Sequence, residues 1–212
     1  RAKERYEQDV LPRLKHSSDE FYLRALLERT AYDNPNWLAD TCNFFERSIN
    51  AYATEDNLFQ YAYFLKDCNR LNQAEHWYKK YLAEFAQPDL SKRAMALNNL
   101  AILHQAKNDF ATAEKEFKEA LAIYRQLAND NPIAYLPDVG VALNNLGELH
   151  RVKNKLARAE KEFKEALAIF RLLTSDNPAA YLPEVAGMLN NLAALHQVKN
   201  ELARAEKEFK EA

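Results

Sequence analysis

A block of 46 residues repeats along the C-terminal part of the chain, and it constrains the fold more than any other feature of the sequence. The letters LNNL occur three times, at 97–100, 143–146 and 189–192. The letters AEKEFKEALAI at 113–123 return unchanged at 159–169, and their first eight stand again at 205–212. Repeated units of this length bury their apolar faces against their neighbours, so the sequence predicts a stacked array.

Each block contains two amphipathic helices joined by a short turn. The first, helix A, has the stripe of an amphipathic helix, with Leu97, Leu100, Ala101 and His104 at i, i+3, i+4 and i+7. The second, helix B, has the stripe Ala113, Phe117, Ala120, Leu121 and Tyr124. Between them stand Lys107-Asn108, Lys153-Asn154 and Lys199-Asn200, where asparagine can take the left-handed conformation that ends a helix. The block therefore predicts an antiparallel helix hairpin.

Prolines predict where the helices begin and end. Helix B should end before Asp130-Asn131-Pro132, because the residue before a proline is disfavoured in helical geometry. Pro137 and Pro183 then fit the first turn of the following helix A. In the N-terminal part, Pro12, Ser17-Ser18 and Asn34-Pro35 divide the chain into about three predicted helices.

The spacing of small and aromatic residues within the block resembles the tetratricopeptide repeat. Small residues stand at 101, 147 and 193 and again at 120, 166 and 212, with phenylalanine at 117, 163 and 209. The long helices are similar to the extended repeats of kinesin light chains and of bacterial repeat arrays. Histidines 104, 150 and 196 stand where that family usually has tyrosine. The resemblance implies an all-α fold, a right-handed solenoid of stacked antiparallel hairpins that forms a tetratricopeptide-like superhelix.

The same template divides the chain into five segments. They are an N-terminal helical segment at 1–56 that could cap the array, a degenerate repeat at 57–90, full repeats at 91–136 and 137–182, and a truncated repeat at 183–212.

Charge and composition narrow the function. The net charge is −2 and lysines alternate with glutamates, which argues against nucleic-acid binding. No apolar run approaches the length of a membrane span. The two cysteines and the absence of a secretion signal in this sequence favour the cytoplasm.

No residue pattern points to catalysis or to a cofactor. Nucleophile elbows, phosphate-binding glycine loops and metalloprotease motifs are missing, and the acids of the E-K-E-F-K-E segments are expected on a solvated helix face. The three repeated histidines would lie on helices about 8 to 10 Å apart, too far to share one zinc ion. We therefore expect no enzyme, no cofactor and no metal site.

The resemblance implies that helix A forms a concave binding wall. The candidate ligand-binding residues are Asn99, Asn145 and Asn191, with Asn98, Asn144 and Asn190 beside them, and the variable positions Ile102, Glu148 and Ala194. Arg151 is the one cation suitably placed, and the paired lysines that hold chaperone tails in this family are not found at these positions. Asparagine is unfavourable inside helices, so a ladder of amides that binds a peptide backbone is one hypothesis. Amides that bond helix to helix, or simple copying during duplication, are the alternatives.

The sequence thus favours a non-catalytic scaffold that binds a protein or peptide segment. Two other hypotheses remain open. In the first, the chain is the sensor or regulatory arm of a larger signalling protein. In the second, its repeats self-associate end to end.

Overall fold

The computed structural model describes residues 6–85 and 88–211, without the side chains of residues 202 and 203, and all regular structure in these ranges is helical. A π-helical turn, Tyr6–Val10, precedes ten α-helices in the described residues. They are α1 (Leu11–Glu28), α2 (Trp37–Ala51), α3 (Glu55–Asp67), α4 (Leu71–Glu84), α5 (Leu90–Ala106), α6 (Phe110–Asp130), α7 (Pro132–Val152), α8 (Leu156–Thr174), α9 (Pro178–Val198) and α10 (Leu202–Glu211). Two compact units result, at 1–88 and 89–212.

In the N-terminal unit, α1 packs on α2 and α3 packs on α4. The predicted break at Ser17-Ser18 is wrong, because α1 runs through both residues. The buried Ser18 hydroxyl donates to the carbonyl of Tyr52 at 2.8 Å, and the Asn57 amide donates to Ser18 Oγ at 3.2 Å and to Ser48 Oγ at 3.0 Å. Tertiary partners satisfy the serine, so it does not compete with the helix backbone.

In the C-terminal unit, the hairpins α5–α6, α7–α8 and α9–α10 stack in order. Helix α6 packs on α7, and α8 packs on α9. Asn108, Asn154 and Asn200 have positive φ angles of 61°, 55° and 61°, which confirms the predicted left-handed turns. The amide of the residue after each asparagine donates to the carbonyl five residues back, as from Lys155 to His150 at 2.8 Å. This is the bond that closes a Schellman motif.

Helix A begins earlier than predicted. Pro132 and Pro178 occupy the first turns of α7 and α9, and Pro137 and Pro183 lie inside these helices. A single residue, Asn131, separates α6 from α7, and its side chain accepts the backbone N–H of Ala134 at 3.3 Å. The correct start is Pro132 because its fixed φ and missing N–H suit a first turn.

Small and aromatic residues fit together inside each hairpin. Phe117 and Phe163 are fully buried. A Cβ built on Gly147 would lie 2.7 Å from the Phe163 ring, so the aromatic ring packs directly on the backbone of helix A. The predicted small site at Ala212 lies outside the described residues.

Candidate functional site

Helices α5, α7 and α9 present equivalent side chains on one surface, which we call the helix A face. It comprises residues 95, 98, 99, 102, 105 and 106 of α5 and the residues that stand one and two repeats later. The spacing of 95, 99, 102 and 106 follows one side of an α-helix. Ile102, Val141, Val152 and Val198 are exposed apolar side chains on this face.

A groove of about 560 Å³ lies between α5 and α7 on the helix A face. Ile102, Gln105, Asn145, Glu148 and Val152 all line it. Three of these five, Ile102, Asn145 and Glu148, are candidate binding residues from the sequence. The groove therefore combines apolar side chains with an amide and a carboxylate.

The asparagine amides bond from one helix A to the next. Asn145 Nδ2 donates to Asn98 Oδ1 at 3.0 Å, and Asn191 Nδ2 donates to Asn144 Oδ1 at 2.8 Å. Amides that bond helix to helix, one of the alternatives drawn from the sequence, are thus present in the structure. An amide has two N–H donors and a carbonyl acceptor, so each pair retains further hydrogen-bonding capacity.

The remaining asparagines differ from these pairs. Asn99 is buried, whereas Asn190 is exposed on α9. Contact between any of the six asparagines and a ligand stays a prediction.

Glu148 and Arg151 form the one charged pair of the helix A face in the described residues. Arg151 Nε donates to Glu148 Oε2 at 2.7 Å, and Arg151 Nη2 donates to Glu148 Oε1 at 2.6 Å. The bonds to Glu148 raise the pKa of the Arg151 guanidinium. Arg151 is therefore already paired with a carboxylate. The equivalent positions hold Ile102 with Gln105 and Ala194 with Gln197, so the neighbouring repeats are uncharged there.

Below this face, each repeated histidine bonds to a glutamate of its own hairpin. The Nδ1 atoms of His104, His150 and His196 lie 2.7, 2.7 and 2.6 Å from the Oε2 atoms of Glu116, Glu162 and Glu208. All three histidines are buried. The sequence interpretation missed these acids, because it placed the whole E-K-E-F-K-E segment on a solvated face. The only signal was a fixed spacing of twelve residues from histidine to glutamate.

Glu114 also departs from the solvated interpretation, because it bonds to the next hairpin. Its side chain is 14% exposed and accepts bonds from Lys153 at 2.6 Å and Lys155 at 3.0 Å, both in the turn between α7 and α8. Burial by itself would raise the pKa of Glu114, but bonds from Lys118, Lys153 and Lys155 hold it well below its usual range. His150 Nε2 lies 3.3 Å from Glu114 Oε1, outside hydrogen-bonding geometry.

Glu160 repeats this arrangement one block later, where Lys164 and Lys199 lower its pKa to about 2. Glu162 lies at Nδ1 of His150, whereas Glu114 lies at Nε2 of the same ring, and burial raises the pKa of Glu162. These contacts join helix to helix and hairpin to hairpin, and they account for the repeated charges without a ligand.

No group of three or more histidine, cysteine, aspartate or glutamate side chains in the described residues could hold a metal ion. No helix in the described ranges is long and apolar enough to cross a membrane.

Solved structures share this fold across most of the chain. Tetratricopeptide-like repeats of a Podosopora anserina putative kinesin light chain align with a TM-score of 0.68 and 12% identity, over 92% of this chain and 93% of that chain. BtubC (BKLC) from P. vanneervenii aligns with a TM-score of 0.64 and 20% identity, over 96% and 90%. Pseudomonas aeruginosa PilF aligns with a TM-score of 0.62 and 17% identity, over 93% and 77%.

A family model agrees with these structures, although no curated protein matches the sequence. The tetratricopeptide repeat model matches residues 93–134 and 139–178. These ranges fall on α5–α6 and α7–α8, the hairpins that carry the groove and the first amide pair. Residues 93–134 and 139–178 therefore resemble the tetratricopeptide repeat in sequence, and the chain has the fold of these solved repeat structures.

Proposed function

We propose that this chain is a non-catalytic scaffold that binds an extended protein or peptide segment on its helix A face. The observation that carries the proposal is the groove between α5 and α7, where the exposed Ile102 and Val152 stand beside the Asn98–Asn145 amide pair. Both cysteines are free thiols, which supports a cytoplasmic location.

The groove suits an extended segment for two physical reasons. Apolar side chains of the segment can cover Ile102 and Val152, which removes apolar surface from water. The remaining donors and acceptors of the amide pair can bond peptide groups, which an extended chain leaves free. Because Glu148 and Arg151 neutralise each other, the groove favours a segment with little net charge at this point.

The test starts from peptides selected on the full chain from a random peptide library, with affinity measured by fluorescence polarisation. Ile102→Asp and Val152→Asp should each weaken binding by about tenfold, since each change places an unpaired charge in an apolar contact. Leu172→Asp is the control, because Leu172 is also an exposed apolar residue but lies on helix α8, outside the groove. It should leave the affinity unchanged.

Melting temperatures of all three variants show whether the fold is retained. Selected peptides that bind both groove variants with wild-type affinity, or that lose affinity equally with Leu172→Asp, would place the binding surface elsewhere.

A further inference from the structure

The N-terminal unit contains an open pocket of about 530 Å³ that is separate from the helix A face. It lies between the α1–α2 connection and the C-terminal end of α3. Four aromatic residues line it, Tyr32, Trp37, Tyr63 and Phe64. Its volume is within the range of pockets that enclose a small ligand or a peptide side chain.

The aromatic walls of the pocket meet nearly at right angles. Tyr32 packs edge-on against Trp37 at 5.3 Å and 73°, and Trp37 packs edge-on against Phe64 at 5.8 Å and 82°. Tyr32 is nevertheless 71% exposed, so this large ring contributes little to the core of the unit. Exposed aromatic surface around a concavity is typical of a binding site. Without a ligand to cover it, such a surface lowers the solubility of a protein.

Two charged side chains line the pocket, Arg29 and Asp67, and they differ in whether they form an ion pair. Arg29 lines the wall and has no ion pair with any residue that the structure describes. Asp67 also lines the pocket and is paired with Lys66, whose Nζ lies 3.1 Å from Asp67 Oδ1 and 4.6 Å from the Tyr63 ring centre. The nearby acids Glu28 and Asp40 accept the side-chain amide of Asn34. A neutral amide leaves both carboxylates charged, but neither of them lines the pocket, so Arg29 carries the unmatched charge among the lining residues.

We propose that this pocket binds a carboxylate attached to an aromatic or branched apolar group. Arginine, tyrosine and tryptophan are the residue types that dominate binding energy at protein sites. The rings can cover the apolar group, and Arg29 can donate two parallel hydrogen bonds to the carboxylate. A cationic ligand is disfavoured, because its charge would face an unpaired guanidinium.

Fluorescence provides a direct test, because the chain has only two tryptophans. Trp77 packs against Tyr61 away from the pocket, so a Trp77→Phe background leaves Trp37 as the sole reporter. The probes are 3-phenylpropionate, 3-phenylpropanamide, and N-acetyl-Ala-Ala-Phe with a free or an amidated carboxyl end. Each acid should change Trp37 emission saturably and bind about fivefold or more tightly than its amide, because a charged hydrogen bond is lost in the amide.

Variants separate the two parts of the proposed contact. Arg29→Gln should remove the difference between acid and amide, whereas Tyr32→Ala should weaken both alike. Arg24→Gln is the control, since Arg24 is an exposed arginine of α1, close in sequence to Arg29, that pairs with Glu20. It should leave both affinities unchanged.

Equal binding of acid and amide to the background protein overturns the proposal. The absence of any saturable change at about 10 mM probe also overturns it, because that concentration half-saturates a site with a Kd of about 10 mM. Tighter binding of the peptide acid identifies a chain terminus as the source of the carboxylate. Tighter binding of phenylpropionate identifies a free acid.

Discussion

At the scale of single residues, Glu114 shows how one side chain joins two repeats. It lies on α6, yet most of its hydrogen bonds come from Lys153 and Lys155 of the next hairpin. A carboxylate with 14% exposure would lose hydration without compensation if these cations were absent. The bonds therefore make the charge of Glu114 a stabilising contact between neighbouring hairpins.

Replacement of Glu114 by glutamine should lower the free energy of unfolding at pH 7 by roughly 1 to 3 kcal/mol, because charged hydrogen bonds are lost. The pKa of Glu114 is lowered in the folded state, so its contribution is present above the unfolded pKa of about 4.3 and is lost as the pH falls further. The stability difference between wild type and Glu114→Gln should therefore shrink between about pH 4 and pH 2. Urea unfolding at several pH values measures this.

Glu206 provides the control for that series. It occupies the equivalent position in the last hairpin but is 68% exposed, where its ion pair with Lys210 is a surface contact worth little. Glu206→Gln should change stability by less than about 0.5 kcal/mol at every pH. A difference for Glu114→Gln that stays constant down to pH 2 would rule out the proposed pH dependence.

At the scale of helices, position 187 separates backbone preference from packing. Gly187, on the helix A face of α9, has no atom within 4 Å of an added Cβ, whereas Met95 and Val141 stand at the equivalent positions. Gly147 also lies inside a helix, α7, but a Cβ added there would meet the Phe163 ring at 2.7 Å. Both glycines therefore destabilise their helix relative to alanine, and they differ in the space available for a side chain.

Gly187→Ala should raise the free energy of unfolding by about 1 kcal/mol, because alanine is the better helix former and meets no obstacle. Gly147→Ala should gain less or lose stability, since the buried Phe163 must shift to admit the methyl group. Thermal unfolding of the two single variants gives the comparison. Equal stabilisation by both changes would mean that Phe163 does not restrict the small site.

At the scale of the whole molecule, stacking decides how deeply equivalent residues are buried. Phe117 and Phe163 have no exposed surface, whereas Phe209, at the same repeat position in α10, is 45% exposed. All three residues stand in the same eight letters, AEKEFKEA. The difference arises because α6 and α8 each pack on a following helix A, in α7 and α9.

Hydrogen exchange should reflect this difference in burial. Amides of α10 should open with a lower free energy than the equivalent amides of α6 and α8, because fewer apolar contacts oppose their opening. Mass spectrometry of exchange on the full chain resolves the three segments. Equal protection in all three would contradict the expectation unless light scattering also shows an oligomer. Self-association of the repeats stays a prediction.

The sequence by itself determined the hairpins and their turns, since these depend on local preferences. Apolar spacing defines the helices, and asparagine at 108, 154 and 200 adopts the left-handed angle that few other residues tolerate. Local rules were less reliable at helix starts. Both Pro132 and Pro137 fit a first turn, and Ser17-Ser18 suggested a break that tertiary hydrogen bonds remove.

Only the tertiary structure decided which polar side chains meet. Asn98 bonds to Asn145, and Glu114 to Lys153, across 47 and 39 residues of sequence. Spacing along one helix cannot show such partners, because they depend on how neighbouring hairpins stack. The same stacking places Ile102 and Val152 on the two sides of one groove. Aromatic residues of the N-terminal unit, at 32, 37, 63 and 64, form a pocket for an equivalent reason, since two separate segments of the chain must pack together to bring them into contact.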